Sequence, residues 1–166
     1  MKRRDDADLL FADDRFVGTV LLDTTVYIDA LHDRLPATVE SLLRTATLLH
    51  STIARSELAV AFGRLKPADP RTAPTLEKVG AVIDAIPSHR LETPSARATI
   101  QGGISTGAIS RLRGMAEDQR RKLFNDAQLF FQALELGAFW LTANISDADL
   151  LQQLAPSGRV LLYRKP

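Results

Sequence analysis

Gly18-Thr-Val-Leu-Leu-Asp23-Thr-Thr-Val-Tyr-Ile28 is the stretch that decides the fold of this chain. Its Val-Leu-Leu run is short, continuous and bounded by Gly18 and by two threonines. Such a run favours a parallel strand covered on both faces over an alternating antiparallel strand. Asp23 follows the strand directly, and ligands of open parallel sheets bind at the carboxyl ends of the strands. The stretch therefore predicts an α/β fold with Asp23 at the rim of the sheet.

Strands and helices alternate along the rest of the chain, which predicts a central parallel sheet of about five strands with helices on both faces. The strands predicted after the first are 48–54, 86–92, 139–142 and 160–163. The predicted helices are one capped by Thr24 or Thr25, then 36–48, 56–62, 76–86, 94–112 with interruptions at Gly102-Gly103 and Gly107, 118–136 ending at Gly137, and one that contains Leu150. The proline-rich stretch 66–74 is expected to be a loop.

Composition limits the class of protein. The chain has 166 residues, 45% hydrophobic and 25% charged, which suits one domain with a sizeable core. Residues 1–17 are polar and are expected to form an N-terminal extension, so the predicted domain spans 18–166. The absence of cysteine excludes disulfide scaffolds and thiolate zinc sites. No apolar run is long enough to span a membrane, and no signal peptide is recognisable, so a cytoplasmic protein is expected.

Four acidic residues are the candidate catalytic and metal-binding set: Asp23, Glu57, Asp126 and Asp147. Glu57 is expected in the first turn of a helix, Asp126 within a long helix on its core side, and Asp147 just after the fourth strand. Several carboxylates at one rim repel each other, and a site that keeps them ionised usually holds a cation. Oxygen ligands alone suit Mg²⁺ or Mn²⁺, as one ion or two. Such ions support phosphodiester hydrolysis, which makes a nuclease the leading hypothesis.

Some of these acids have purely structural interpretations. Glu57 is favourable at a helix start for reasons of the helix dipole alone. Asp147 is equally suited to capping the following helix, in which case Asp149 is its natural substitute as the fourth acid. Asp126 is harder to explain structurally, because a buried carboxylate without partners is costly. As supporting residues we expect Thr25 to orient a metal-bound water and Asn144 to hold the loop that carries Asp147.

The formal net charge is only +1, so no global basic field attracts nucleic acid and any polyanion must be held locally. One basic stretch lies just before Asp126 and is the candidate RNA-binding set: Arg111, Arg113, Arg120, Arg121 and Lys122. A run of this kind is either a solvated helix face or a phosphate-binding edge. Its position beside the acids makes the second interpretation worth testing.

The ordered motifs resemble those of the PIN-domain ribonucleases, and within them the VapC toxin branch of bacterial toxin–antitoxin systems. The motifs are Val20-Leu-Leu-Asp23-Thr-Thr-Val-Tyr-Ile28, Ser56-Glu57-Leu with Phe62-Gly63, Asn125-Asp126-Ala127, and Leu141-Thr-Ala-Asn144-Ile-Ser-Asp147. The resemblance covers roughly residues 18 to 163. Two departures stand out, since the extension 1–17 is unusual for the family and Ala148 replaces the aromatic residue that usually follows the fourth acid.

The resemblance implies a three-layer α/β/α fold and a Mg²⁺- or Mn²⁺-dependent endoribonuclease that acts on structured RNA such as tRNA. It places Asp23, Glu57, Asp126 and Asp147 in the acidic metal site, with Thr25 and Asn144 as polar supports. It further implies a homodimer and a cognate VapB-like antitoxin whose tail enters the acidic groove. The alternative function is a catalytically silent PIN-like module that binds RNA or protein.

Overall fold

The structure is a computed structural model that describes residues 2–166. Its helices and strands are β1 Thr19–Leu22, α1 Thr24–Leu31, α2 Ala37–Thr45, β2 Thr47–Ser51, α3 Thr52–Arg64, α4 Thr72–Asp84, β3 Leu91–Glu92, α5 Ala96–Arg113, α6 Glu117–Glu135, β4 Phe139–Thr142, α7 Ile145–Leu154 and β5 Val160–Leu162. Short 3-10 turns lie at Asp6–Asp8 and Ser88–Arg90. Among residues 2–166, no helix is both long and apolar enough to cross a bilayer. The cytoplasmic location stays a prediction.

The sheet has five strands in the order β3-β2-β1-β4-β5, and every pairing is parallel. Alternate residues of β1 point to opposite faces, so Leu21 packs into one apolar cluster while Val20 and Leu22 pack into the other. The first cluster lies under α5, α6 and α7, and the second lies under α1, α2, α3 and α4. The expected three-layer α/β/α fold is therefore confirmed.

The predicted second strand and third helix are wrong at their common boundary. The β-branched pair Thr52-Ile53 favours a strand by local propensity, but the strand ends at Ser51 and the helix begins at Thr52. The Ser51 hydroxyl oxygen accepts a hydrogen bond from the Ile53 N–H at 3.1 Å, so the serine acts as the helix N-cap. Glu57 consequently lies in the second turn of α3, where the helix dipole gives it little stabilisation.

The predicted interruption of the long glycine-containing helix is also wrong, because α5 runs unbroken from Ala96 to Arg113. A Cβ atom on Gly102 would lie 3.1 Å from both the Cγ and the backbone N of Gln128 in α6. Gly102 therefore permits close contact between the two helices rather than a break. The helix instead ends at Gly114, whose φ of 61° lies in the left-handed region.

Other boundaries differ by a few residues. The second helix ends at Thr45 instead of 48, the third strand shortens to Leu91–Glu92, and α4 begins at Thr72 inside the expected loop. Pro74 lies in the first turn of α4. Backbone N–H groups in the first turn make no hydrogen bond within the helix, so proline is tolerated there. The fourth strand, Phe139–Thr142, has the predicted bounds.

The extension that precedes β1 lies along the outer edge of β5. The Leu162 N–H donates to the Leu10 carbonyl oxygen at 2.9 Å, and the Ala12 N–H donates to the Leu162 carbonyl oxygen at 2.7 Å. Phe11 is thereby bridged to Leu162 in a parallel arrangement. The extension is thus packed against the α/β domain over part of its length.

Candidate functional site

The sheet topology brings the four candidate acids to one rim. β1 and β4 are neighbours, with Leu22 paired to Leu141, so the residues that follow them, Asp23 and Thr142, lie side by side. Glu57 reaches this rim from α3, and Asp126 reaches it from α6. The charges of the other three acids all act on Asp126, which places Asp23, Glu57, Asp126 and Asp147 in one electrostatic cluster.

Asp23 is the most enclosed of the four, with only 1% of its surface exposed. Its Oδ1 accepts from the Thr24 N–H at 2.7 Å, and its Oδ2 accepts from the hydroxyl of Thr25 at 2.7 Å and from the hydroxyl of Thr142. Burial raises the pKa of Asp23, and the charge of Glu57 raises it further, against the lowering effect of these hydrogen bonds. The carboxylate is therefore rigidly held but electrostatically strained.

The expected cap of the first helix is wrong, because Asp23 itself occupies the N-cap position of α1. Thr25 donates its hydroxyl hydrogen to Asp23 and accepts from the Ala143 N–H at 3.3 Å, so it joins α1 to the segment after β4. Its expected role towards a metal-bound water stays a prediction. Its observed role is to support the Asp23 carboxylate.

Glu57 is held by two side chains that were not among the predicted supporting residues. The Thr24 hydroxyl donates to Glu57 Oε2, and the Asn125 side-chain amide donates to Oε1 at 2.7 Å. Both donors stand next to a candidate acid in the chain, and Thr142 stands level with Asp23 across the β1–β4 pairing. Two features of the sequence could have predicted these supporting residues: their position next to a candidate acid in the chain, and the register of β1 against β4.

Asp126 and Asp147 share one donor. The Asn144 Nδ2 donates to Asp126 Oδ2 at 2.6 Å and to Asp147 Oδ2 at 2.8 Å. Burial raises the pKa of Asp126 well above its ordinary value, and the charges of Asp23, Asp147 and Glu57 add to this effect. Asn144 occupies the N-cap position of α7, yet its side chain makes no capping hydrogen bond, because the amide is directed at the two acids.

Asp149 lies elsewhere, and its prediction as a supporting or fourth acid is corrected. Its carboxylate accepts from the backbone N–H of Arg4 at 2.9 Å, from Arg4 Nε at 2.6 Å and from Gln153 Nε2 at 2.9 Å. Burial raises the pKa of Asp149, but the Arg4 hydrogen bonds outweigh it and the net pKa is lowered. Of the two alternatives, only Asp147 stands beside Asp126, because residues two apart on a helix point to different sides.

The donor set of this rim suits a hard divalent cation in its chemistry. Within residues 2–166, no Lys, Arg or His forms an ion pair with any of the four acids. As the side chains are oriented, however, the described part of the chain contains no group of three or more acidic or histidine side chains that would hold a metal ion. Asn144, Asn125 and the threonine hydroxyls satisfy the carboxylates singly or in pairs. The ligand types therefore fit, and the carboxylates would have to turn towards one another to share an ion.

Basic side chains line two grooves beside the acids. A groove of about 520 Å³ is lined by Glu57, Arg64, Arg121, Lys122 and Asn125 among others. A second groove of about 410 Å³ is lined by Arg113, Met115, Gln119, Lys122 and Asp147.

Lys122 lines both grooves, and Arg64 is a basic residue that the sequence pattern did not indicate. Arg111 and Arg120, also predicted to bind RNA, are exposed and line neither groove. The Arg121 Nη2 also forms an exposed ion pair with the Glu117 Oε1, at 3.6 Å. The structure thus divides the basic stretch into members beside the acids and members away from them.

Comparisons with known proteins support the fold. No protein-family model matches the chain, and no curated protein matches it. Among solved structures, the chain resembles VapBC2 from Rickettsia felis bound to a DNA fragment from its promoter, with 17% identity and a TM-score of 0.58 over 87% of this chain and 98% of that one. DNA-bound VapBC from Salmonella typhimurium gives 20% identity and a TM-score of 0.57 over 86% of this chain and 96% of that one. FitAcB from Neisseria gonorrhoeae gives 15% identity and a TM-score of 0.58 over 86% and 96%.

These matches correct the assignment of the chain to the VapC toxin branch of the PIN-domain ribonucleases. The matched chains belong to VapBC and FitAB complexes alike, and the likeness does not single out a PIN toxin. At identities between 14% and 20% a likeness of this kind shows a shared fold alone. The chain therefore has a PIN-like α/β/α fold with a cluster of four carboxylates at the rim of its sheet.

Proposed function

We propose that this protein is a metal-dependent endoribonuclease that hydrolyses phosphodiester bonds in RNA. One observation carries the proposal: four carboxylates converge at the carboxyl ends of parallel strands, and none has a cationic side chain as partner among residues 2–166. An arrangement of this kind costs stability, since burial and mutual repulsion both disfavour the charged forms. A function that uses the charges is the simplest reason for it.

Asp23, Glu57, Asp126 and Asp147 are the residues that would hold Mg²⁺ or Mn²⁺. A divalent ion bound there would supply positive charge to a phosphodiester and lower the pKa of a water molecule. The remaining polar groups position the acids. Thr25 and Thr142 hold Asp23, and Asn144 holds Asp126 together with Asp147.

The basic grooves support a polyanionic substrate. Lys122 and Arg121 lie on the Glu57 side of the acids, and Arg113 with Lys122 lies on the Asp147 side. An RNA strand that crosses the site would meet a cationic side chain on each side of the bond to be cut, which offsets its repulsion by the acids. We take structured RNA, such as tRNA, as the proposed substrate class.

We further propose that a second protein regulates the enzyme, as an antitoxin-like partner. The matched structures are two-component complexes. We call the four acids Asp23, Glu57, Asp126 and Asp147 the acid rim. An apolar groove beside it is lined by Ile28, Leu58, Val60 and Val79 and reaches Glu57. A partner segment would bury apolar side chains on this surface. A homodimer, which was expected only from the family resemblance, stays a prediction.

The second candidate function is a catalytically silent module that binds RNA or protein through the same surfaces. The observation in its favour is that no three acidic side chains of the described residues are oriented to hold an ion together. The two candidates differ in one respect, since only the nuclease needs the Asp23 charge for its reaction.

The deciding experiment incubates the purified protein, free of any partner, with total cellular RNA and either Mg²⁺ or Mn²⁺. The comparisons are a chelator, the Asp23→Asn variant, and Asp84→Asn, which alters an exposed acid at the end of α4. Discrete fragments that require the metal, disappear with Asp23→Asn and persist with Asp84→Asn support the nuclease. Fragments that persist with Asp23→Asn contradict it. Intact RNA in every reaction, with folded protein by circular dichroism, favours the binding module.

A further inference from the structure

The extension that precedes β1 contacts α7 through its first described residues. Arg4 donates through its backbone N–H and its Nε to the two different oxygens of Asp149, at 2.9 Å and 2.6 Å. Its Nη2 donates to Gln152 Oε1 at 2.6 Å, and Gln153 Nε2 donates to the Lys2 carbonyl oxygen at 3.0 Å. Three side chains on one side of α7 are therefore joined to residues 2–4.

The ion pair is well shielded from solvent on the side of α7. The Asp149 side chain is 0% exposed and the Arg4 side chain is 33% exposed. Removing one partner of such a pair leaves the other charge buried without compensation, which is far more costly than losing an exposed pair. Arg3, the neighbouring arginine, offers the contrast, since it pairs with Asp6 at the surface with 43% of its side chain exposed.

The extension is anchored again further along. Leu10 and Ala12 hydrogen-bond to Leu162 of β5, and the Arg164 guanidinium lies 5.2 Å from the centre of the Phe11 ring. Since β5 follows α7 in the chain, residues 2–12 connect the outer side of α7 to the edge strand that comes next. Residues 2–12 therefore contact both the last helix and the last strand.

α7 carries one of the four acids, Asp147, in its first turn, and the side chain of its N-cap residue Asn144 does not cap it. The Asn144 side chain makes no capping bond, because its amide donates to Asp126 and Asp147. Asp147 is held by this same amide. The position of α7 relative to α6 therefore sets how far Asp147 lies from Asp126. That position is held by the packing of α7 on the first apolar cluster and by the hydrogen bonds on its outer side.

We infer that Arg4 is a positioning residue for the acid rim: through its ion pair with Asp149 it holds α7, and with it Asn144 and Asp147, against α6. The role of Arg4 is structural support of the site, and no contact with substrate is involved. The inference rests on the proposed function only in so far as the acid rim is taken to bind metal.

The test uses the full chain with Arg4→Gln, the conservative Arg4→Lys, and Arg3→Gln as the matched control. Hydrogen exchange of the metal-free proteins compares residues 144–151 with α4, and titration calorimetry with Mn²⁺ alone measures metal affinity. For Arg4→Gln we expect exchange in 144–151 to be about tenfold faster with α4 unchanged, and Mn²⁺ affinity to fall roughly tenfold. Arg4→Lys should recover part of both losses, and Arg3→Gln should match the wild type.

The outcomes separate this inference from the proposed function. Wild-type exchange in 144–151 for Arg4→Gln overturns the inference, and so does faster exchange with unchanged Mn²⁺ affinity. If Arg4→Gln fails to fold, Arg4→Lys decides on the same two criteria. If the wild type binds no Mn²⁺, the metal site fails while the exchange comparison still decides whether Arg4 holds α7.

Discussion

Asn144 and Asp126 are joined by a 2.6 Å hydrogen bond from the Asn144 Nδ2 to the Asp126 Oδ2, and the same nitrogen donates to Asp147 at 2.8 Å. A single amide thus lies between two carboxylates that come from α6 and α7. It partly offsets their repulsion, as a positive charge would do more completely. The Asn144 amide therefore does two things: it favours the ionised form of Asp126, and it holds Asp147 in position.

Asn144→Ala is expected to lower ribonuclease activity by about 10- to 100-fold, the usual effect of removing a group that orients metal-binding side chains. Without the amide, Asp126 and Asp147 lose a shared donor and repel each other. Cleavage assays at several Mg²⁺ concentrations measure the effect. Ser146→Ala, an exposed neighbour at the start of α7, is the control and should retain full activity. Equal activity of the two variants would show that Asn144 does not support the acids.

Asp126→Asn is expected to stabilise the metal-free protein, and to do so more at pH 8 than at pH 5. Burial and three neighbouring acids raise the pKa of Asp126 well above 3.8 in the folded state. Below pH 3.8 the Asp126 carboxyl group is protonated in both the folded and the unfolded state. As pH rises towards the raised pKa, only the unfolded chain loses the proton freely, so folding stability falls by about 1.4 kcal/mol for each unit of difference in pKa.

Urea unfolding with a chelator present measures this pH dependence. Asp118→Asn, which removes an exposed carboxylate in the first turn of the same helix, is the matched control. A stability gain for Asp126→Asn that is the same at pH 5 and pH 8 would contradict the assigned cause, because a substitution effect without a titrating group does not vary with pH.

Lys122→Gln is expected to weaken binding of single-stranded RNA, because Lys122 lines the grooves on both sides of the acids. The Asp23→Asn background keeps the RNA intact. In it, fluorescence anisotropy measures the binding constant over a range of salt concentrations. The slope of log binding constant against log salt concentration should be smaller in magnitude for Lys122→Gln. The slope should decrease by about 0.7 for each phosphate that the variant no longer neutralises. Arg120→Gln, which removes an equal charge outside both grooves, should change the slope little. Similar effects of both variants would indicate attraction by net charge alone.

Gly102→Ala and Gly107→Ala are expected to change stability in opposite directions, although both lie inside α5. A Cβ at Gly102 would lie 3.1 Å from the Gln128 Cγ and backbone N, so overpacking should cost about 1–3 kcal/mol. A Cβ at Gly107 meets nothing within 4 Å, so better helix propensity should add about 0.5–1 kcal/mol. Urea unfolding of both variants tests the pair, and a loss of stability for Gly107→Ala would count against the packing argument.

Local sequence signals were sufficient where neighbouring residues in the chain determine the structure. The apolar run before Asp23 identified the central strand, and Gly137, with a φ of 63°, ends the long helix as expected. The pattern failed at Thr52-Ile53, because β-branched residues favour strands while the Ser51 cap and the packing of α3 against the sheet decide the outcome. Propensity is a weak preference that tertiary contacts override.

The partners of the acids depend on contacts that no local pattern records. Asp149 was the substitute for Asp147 because the two lie two positions apart on one short segment. Its partner Arg4 is 145 positions away in the chain, and only the packing of the extension on α7 brings them together. A chain separation of this size explains why the sequence pattern could not distinguish Asp149 from Asp147.

The extension also affects how copies of the chain can meet. Parallel pairing of Phe11 with Leu162 covers the outer side of β5, and the opposite edge, β3, is only two residues long. An exposed strand edge is a template on which another polypeptide adds by backbone hydrogen bonding, and short or covered edges suppress such growth. Self-association of this protein should therefore proceed through its helical faces, and the sheet is protected against fibril-like stacking.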